Sequence, residues 1–276
     1  MIRDISSLMR PSVSLAVAAG TLFGALYRGS AETGSVVEAV IGAFILCGGC
    51  SALNQIQERD RDARMERTRH RPVAAGRLTV NEAWPLSLAM ILSGLVLFFL
   101  AGGWTLLMLG MGILLVYNGV YTPLKRVTPT ALLAGGCAGA VPPLVGWLAA
   151  GGDALDPRIL SVTAIFYLWQ VPHFWLLAEK HRADYERAGF AMLHAALPPQ
   201  VRSVLMALWV SAYFIGLGCL AGLSGAASLQ WVVPVSFLLA GGVVVGLVVT
   251  GRIRPATFAM HASLPLGLMA LLLNRL

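Results

Sequence analysis

The sequence predicts an all-α polytopic membrane protein, one integral domain over residues 1–276 that crosses a bilayer about nine times. Composition is the first reason: 57% of the residues are hydrophobic and 12% are charged, whereas soluble domains carry about 25% charged residues. The second is that apolar runs recur at lengths close to the ~20 residues needed to span a bilayer core. The third is that basic residues sit in the gaps between those runs rather than on one soluble face. That placement also argues against nucleic acid as the partner of a chain with net charge +7.

In chain order the spans fall at about 12–28, 35–56, 82–101, 104–121, 131–150, 159–178, 203–223, 229–250 and 256–273. With the N-terminus in the cytoplasm, that side receives Arg3 and Arg10, then the seven arginines of 54–77, then Lys125 and Arg126. Lys180, Arg182, Arg187, Arg202, Arg252 and Arg254 follow on the same side, which makes seventeen of twenty basic residues. Only Arg28, Arg158 and Arg275 fall opposite. Lys and Arg are retained on the cytoplasmic face, so the alternation supports span count and orientation together. The opening MIRDISSLMRPS is short and basic, with no small-residue cleavage site and no Arg- and Ser-rich transit character. A multi-pass protein of a bacterial inner (plasma) membrane is the simplest expectation.

The span interiors hold almost no ionisable groups, which disfavours an ion-coupled transporter. Gly102–Gly103, Gly135–Gly136 and Gly241–Gly242 read as places where helices approach closely. Cys47 and Cys50 form a CGGC inside an apolar run, and read as small packing residues rather than a redox or metal pair.

Chemistry gathers in three stretches. In 54–77, Asn54, Glu58 and Asp62 are spaced four apart, with Asp60 beside them. If the second span continues as a helix, the three share one face over about 12 Å. A topology signal accounts for the arginines but gives no reason for acidic residues at helical spacing. Oxygen ligands of this kind suit Mg²⁺, which takes one or two carboxylates plus substrate phosphates. Arg67 and Arg71 can fork onto phosphate oxygens. The second stretch, 117–126, brings Tyr117 and Tyr121 to one face and adds Lys125 and Arg126 as a second wall of an anion pocket. Its plainer reading is interfacial anchors followed by inside charges. The third, 169–189, holds His173 after Pro172, which should interrupt the helical hydrogen-bond ladder. It also holds Asp184, either a further metal ligand or a loop carboxylate paired with Lys180 or Arg187.

These stretches together resemble the UbiA superfamily of intramembrane prenyltransferases, and within it the protoheme IX farnesyltransferases, or haem O synthases. Asn54, Asp60, Asp62, Met65, Arg67, Thr68, Arg71 and Pro72 match the family's first signature. YTPLKR at 121–126, AGAVPPLVGW at 138–147, WQVPHFW at 169–175 and DYERAGFAML at 184–193 match later ones, and Arg10–Pro11 resembles its Lys-Pro entry. Glu58 departs from the usual Asp by one methylene, and Ala183 stands where an acidic residue often precedes the Asp of the third motif.

The resemblance implies a UbiA-type bundle with a cytoplasmic-side active site and farnesyl transfer from farnesyl diphosphate to a vinyl group of haem b, giving haem O. Mg²⁺ would be held by Asn54, Glu58, Asp62 and Asp184, and the diphosphate by Arg67, Arg71, Lys125 and Arg126. Tyr117, Tyr121 and His173 would line the substrate pocket, with His261 a weaker candidate for contacting haem. Haem is here a substrate. The partners implied are the two substrates, the bilayer, and haem A synthase or haem-copper oxidase assembly factors. The alternatives are a UbiA-type enzyme with another aromatic or quinone-precursor acceptor, and a non-catalytic haem-handling assembly protein.

Overall fold

The computed structural model describes residues 2–29, 32–224 and 231–273. Arg275 and the first two positions of the predicted eighth span, 229–230, lie outside the described residues. The chain begins with a short helix α1 (Ile2–Met9) that meets α2 (Pro11–Arg28) at a bend of 48°. The bend is made at Arg10, whose φ of 49° and ψ of 65° place it in the left-handed region. Proline at the next position disfavours a right-handed helical conformation there, so the chain does not run straight from one helix to the other.

Helix α3 (Thr33–Asp62) has 30 residues, about 45 Å at 1.5 Å per residue, which exceeds a hydrocarbon core of about 30 Å. Its last turns therefore outrun the apolar zone and carry Glu58 and Asp62 to the rim. Turns over 63–79 follow, seated on α3 and α1 by a small core of Leu8, Ala52, Val73, Leu78 and Ala83. Helix α4 (Val80–Leu114) starts in a reciprocal cap, Thr79 accepting from the Glu82 amide while the Glu82 carboxylate accepts from the Thr79 amide.

Helical dihedrals stop inside α4 at Gly102 (φ −162°, ψ 27°) and Gly103 (φ 59°, ψ −147°). There the chain turns back on itself: a side chain at Gly110 would meet Phe98 and Leu95. The returning arm widens into a π-helical turn over Leu115–Tyr121 and ends in α5 (Thr122–Leu124).

Helices α6 (Ala131–Ala140) and α7 (Pro142–Ala149) form one interrupted crossing, followed by α8 (Pro157–Lys180). Helix α8 continues through Pro172 rather than ending there. The remaining helices are α9 (Arg182–Arg187), α10 (Leu193–Ala196), α11 (Pro199–Ser224), α12 (Val232–Val249) and α13 (Ile253–Leu273). One core joins α2, α7, α8 and α11–α13 around Trp147, Phe166, Tyr213 and Phe214. A second lies between α3 and the two arms of α4, around Leu46, Phe98 and Leu106.

Among the described residues, seven helical stretches are long and apolar enough to cross a membrane, or eight if the bent α1–α2 pair is one crossing. The expected count of about nine differs because residues 80–124 form one stretch by length and composition, although its two arms run antiparallel across Gly102–Gly103. Basic residues separate by end. Arg28 and Arg158 both lie over the Trp147 ring, at 5.9 and 5.0 Å, away from the end where the 63–79 turns, Lys125 and α9 meet.

Candidate active site

The helix period holds through the last turns of α3, so Asn54, Glu58 and Asp62 share one face. Each is only 3% exposed. They line a cleft of about 580 Å³, partly open to solvent, together with Arg67, Arg71, Tyr117, Tyr121 and Lys125. Eight of the residues expected from sequence thus come together at one end of an apolar bundle.

The π-helical turn sets the wall opposite α3. Asn118 donates to Cys50 O at 3.0 Å and to Gln57 Oε1 at 3.2 Å, while Gln57 Nε2 donates to Asn118 O at 3.1 Å. That stitching brings Thr122 to within 3.1 Å of Asn54 Nδ2, and Lys125 Nζ to 2.6 Å from Glu58 Oε2. Asn54 Nδ2 also donates to Glu58 Oε2 at 3.2 Å. The Tyr117 and Tyr121 rings lie 5.6 Å apart and Tyr121 stacks on Phe174 at 5.8 Å. The Lys125 ammonium sits over Tyr121 and Phe190, at 5.0 and 5.4 Å. π-helical turns recur at functional sites because the extra residue re-aims side chains.

Asp62 is paired with Arg71 at 2.7 Å, and its carbonyl accepts from Thr68 Oγ1 at 3.1 Å. The buried acids of the cleft are therefore each met by a cation that a phosphate would also attract. Among the described residues no group of three His, Cys, Asp or Glu lies close enough to hold a metal ion alone. The donor set nevertheless fits a hard divalent cation in its chemistry: it is all oxygen, and Glu58 Oε1 is buried with no hydrogen-bond partner.

Asp184 does not line the cleft. Its two carboxylate oxygens accept the backbone N–H groups of Glu66 and Arg67, both at 3.1 Å, and Arg187 pairs with it from the same short helix. Burial works to raise its pKa, but the Arg67 and Glu66 amides and the Arg187 guanidinium outweigh it and hold the carboxyl below the usual range. Asp184 thereby ties the 63–79 turns to α9, in direct contact with the main chain of Arg67. Arg126 also lies outside the lining and donates to Gln57 O. Asp60 is exposed beside Arg59. His173 lies deeper along α8, where its ring stacks on Trp169 and hydrogen-bonds His261 at 2.8 Å.

Arg10, Met65, Phe174, Tyr185 and Phe190 also line the cleft, and sequence reasoning had assigned none of them to a diphosphate pocket. For Arg10 a signal existed, a basic residue before proline at the mouth of the first span. The others fall inside the matched motifs, but as apolar or aromatic residues their types alone do not separate a pocket wall from packing.

The model of the UbiA prenyltransferase family matches residues 13–272. The protoheme IX farnesyltransferase of Oleidesulfovibrio alaskensis is 46% identical over 217 residues, covering 79% of this chain and 77% of that one. The Geobacter sulfurreducens protein of the same name is 39% identical over 241 residues, covering 87% and 89%. Among solved structures, a digeranylgeranylglyceryl phosphate synthase superposes with a TM-score of 0.79 at 16% identity, over 99% of this chain and 98% of that one. A UbiA homolog from Aeropyrum pernix gives 0.77 at 19% identity, over 96% and 99%. A UbiA homolog from Archaeoglobus fulgidus, bound to DMAPP and Mg²⁺, gives 0.71 at 13% identity, over 97% and 99%. At such identities these structures speak for the fold alone. The helical bundle, the family match along nearly its whole length and the curated relatives agree: this integral membrane protein belongs to the UbiA prenyltransferase family.

Proposed function

We propose that the chain transfers a farnesyl group from farnesyl diphosphate to a vinyl group of haem b, giving haem O. The observation that carries the reading is the self-neutralised cleft: Glu58 held by Lys125 and Asp62 held by Arg71, at the mouth of an apolar bundle. The acceptor comes from the relatives, which are named protoheme IX farnesyltransferases.

The hard step is heterolysis of the allylic carbon–oxygen bond, in which diphosphate leaves with the electron pair. A diphosphate entering the cleft competes for Lys125 and Arg71, and frees the carboxylates they cover. Arg67, Arg71 and Lys125 then act as preorganised donors to the charge that builds on the leaving oxygens, with Arg126 joining from the rim. Asn54, Glu58 and Asp62 would hold Mg²⁺, which would neutralise leaving-group charge as a Lewis acid. Asp184, rather than joining them as a ligand, holds the main chain of Glu66 and Arg67 beside the cleft. The rings of Tyr117 and Tyr121 border the reacting end of the isoprenoid, whose tail lies in the apolar bundle away from water. The vinyl π pair forms the new carbon–carbon bond. Water adds to the resulting cation next to the porphyrin and loses a proton, leaving the hydroxyethylfarnesyl group.

As a single domain over 1–276, the protein would lie in a bacterial inner membrane with its N-terminus and this cleft facing the cytoplasm. It would hand its product to haem A synthase or to haem-copper oxidase assembly factors. The test uses membranes containing the protein, supplied with haem b and labelled farnesyl diphosphate, with and without magnesium. Magnesium-dependent label in a hydroxyethylfarnesyl haem is expected. Label in a phenolic lipid, or none, overturns the acceptor. Asp62→Asn should abolish turnover while leaving the protein inserted and folded, and retained activity would overturn the metal face.

A further inference from the structure

We infer that His173 and His261 form an iron-binding subsite for the porphyrin acceptor, in which His173 Nε2 takes an axial position and His261 fixes the ring. This rests on the haem reading above and deepens it. His173 Nδ1 and His261 Nε2 lie 2.8 Å apart, joining α8 to α13. Between neutral imidazoles one nitrogen donates and the other accepts. Trp169 stacks on the His173 ring with centroids 4.4 Å apart and planes 18° from parallel. The Trp169 indole N–H in turn donates at 2.8 Å to the carbonyl of Met260, the residue before His261. Both histidines are thus held by the same pair of helices, and His173 cannot turn without breaking a stack and a hydrogen bond.

Among the described residues the remaining nitrogen of His173, Nε2, makes no hydrogen bond. An imidazole that binds a metal through one nitrogen usually donates its other N–H to an acceptor, which sets tautomer and orientation. His261 Nε2 is placed to be that acceptor. An interhelical strut explains the hydrogen bond alone. It does not explain why His261 is exposed within a helix long and apolar enough to cross a membrane, where an ionisable ring is costly and marks a functional position by default.

Distance from the rim suits the reaction. His173 lies seven residues before Lys180, about 10 Å along the helix axis. Phe174, next in the chain, meets the His173 ring edge-on at 5.4 Å and stacks on Tyr121 at 5.8 Å. Tyr121 and Phe174 both line the diphosphate cleft. Phe174 therefore links the His173 ring to the diphosphate cleft, so that a porphyrin bound through His173 would lie beside it.

The test is an optical titration of the purified protein in lipid nanodiscs with ferric haem b, without farnesyl diphosphate. The wild-type protein should give a saturating Soret shift to a histidine-ligated form. His173→Ala should lose that form, and added imidazole should restore it. His261→Phe should keep the ligated band but weaken haem about 10- to 100-fold, the usual effect of removing an outer-shell partner. Iron-free protoporphyrin IX should bind wild type and His173→Ala equally. Should His173→Ala fold poorly, His173→Gln keeps length and polarity without the imidazole, and is read in the same way. An unchanged Soret band and affinity in the His173 variant would overturn the subsite while leaving farnesyl transfer to haem intact. Failure of the wild-type protein to bind haem at all would overturn both.

Discussion

Lys125 Nζ lies 2.6 Å from Glu58 Oε2, joining two stretches of sequence that no local pattern links. Glu58 is 3% exposed, and apart from Lys125 that oxygen has only the Asn54 amide to satisfy it. Removing one partner of a buried ion pair is costly because the other charge stays behind, typically about 3–5 kcal/mol. Lys125→Met should therefore lower stability by about 3 kcal/mol, since Lys125 itself keeps some solvent contact. The double variant Glu58→Gln/Lys125→Met should recover most of that loss in a thermal melt while remaining inactive. A single variant as stable as wild type would show that the pair does not hold the cleft together.

Asp184 gives the site a dependence on acid. Its folded-state pKa is depressed by the Arg67 and Glu66 amides and by Arg187, against the opposing effect of burial. A depressed carboxylate stabilises the fold fully above its unfolded value, near 4. That contribution is lost as pH falls through the lower folded value. Melting temperature should be insensitive to this group from neutral pH down to about 5, then fall below the ordinary carboxylate range. Asp184→Asn should be less stable at neutral pH and should flatten the acid arm, measured by thermal melts between pH 7 and 3. An unchanged acid arm in that variant would mean that Asp184 does not tether the 63–79 turns.

Helical period made the α3 ladder legible: Asn54, Glu58 and Asp62 share a face because the helix really continues past the apolar zone. The boundary between the third and fourth spans was legible too, but the glycine pair at it, expected to mark a close helix approach, instead makes the turn: Gly103 adopts φ 59°, and a β-carbon there would meet nothing within 4 Å. Asp184 was not, because its partners are the main-chain amides of Glu66 and Arg67, and backbone donors leave no mark on composition. Lys125 and Arg126 could not be told apart, since adjacent helical residues point about 100° apart and either could face the cleft. The pairing of His173 with His261 depends on how α8 and α13 cross, which no sequence period encodes.

Helices α2 and α7 meet with no room between them. A β-carbon on Gly24 would lie 1.8 Å from Pro143 O, and one on Gly146 would lie 1.7 Å from Thr21 O. Both obstacles are backbone, so no side chain can rotate away, and the helices themselves must separate. Gly24→Ala and Gly146→Ala should each destabilise by about 3 kcal/mol, the upper part of the range for overpacking. Gly112→Ala, which meets nothing within 4 Å, is the control and should melt no lower than wild type, and up to about 1 kcal/mol higher. Normal stability in the first two variants would mean that the helices do not approach so closely.

Arg10 sets stability against activity. It is the one non-glycine residue with positive φ among the described residues, and it lines the cleft. A non-glycine residue held in that region costs on the order of 1–3 kcal/mol, and such strain collects at functional sites. Glycine adopts the same dihedrals without the β-carbon penalty, at the expense of a freer unfolded chain. Arg10→Gly should therefore melt no lower than wild type, and up to about 1 kcal/mol higher. Loss of the guanidinium should raise KM for farnesyl diphosphate about tenfold, near the 1.5–3 kcal/mol of a charged hydrogen bond. Arg10→Ala keeps the strain and loses the charge, so it should share the kinetic defect without the gain in stability. If Arg10→Gly melts lower and binds diphosphate normally, the bend at residue 10 serves helix packing alone, and the side chain has no part in the site.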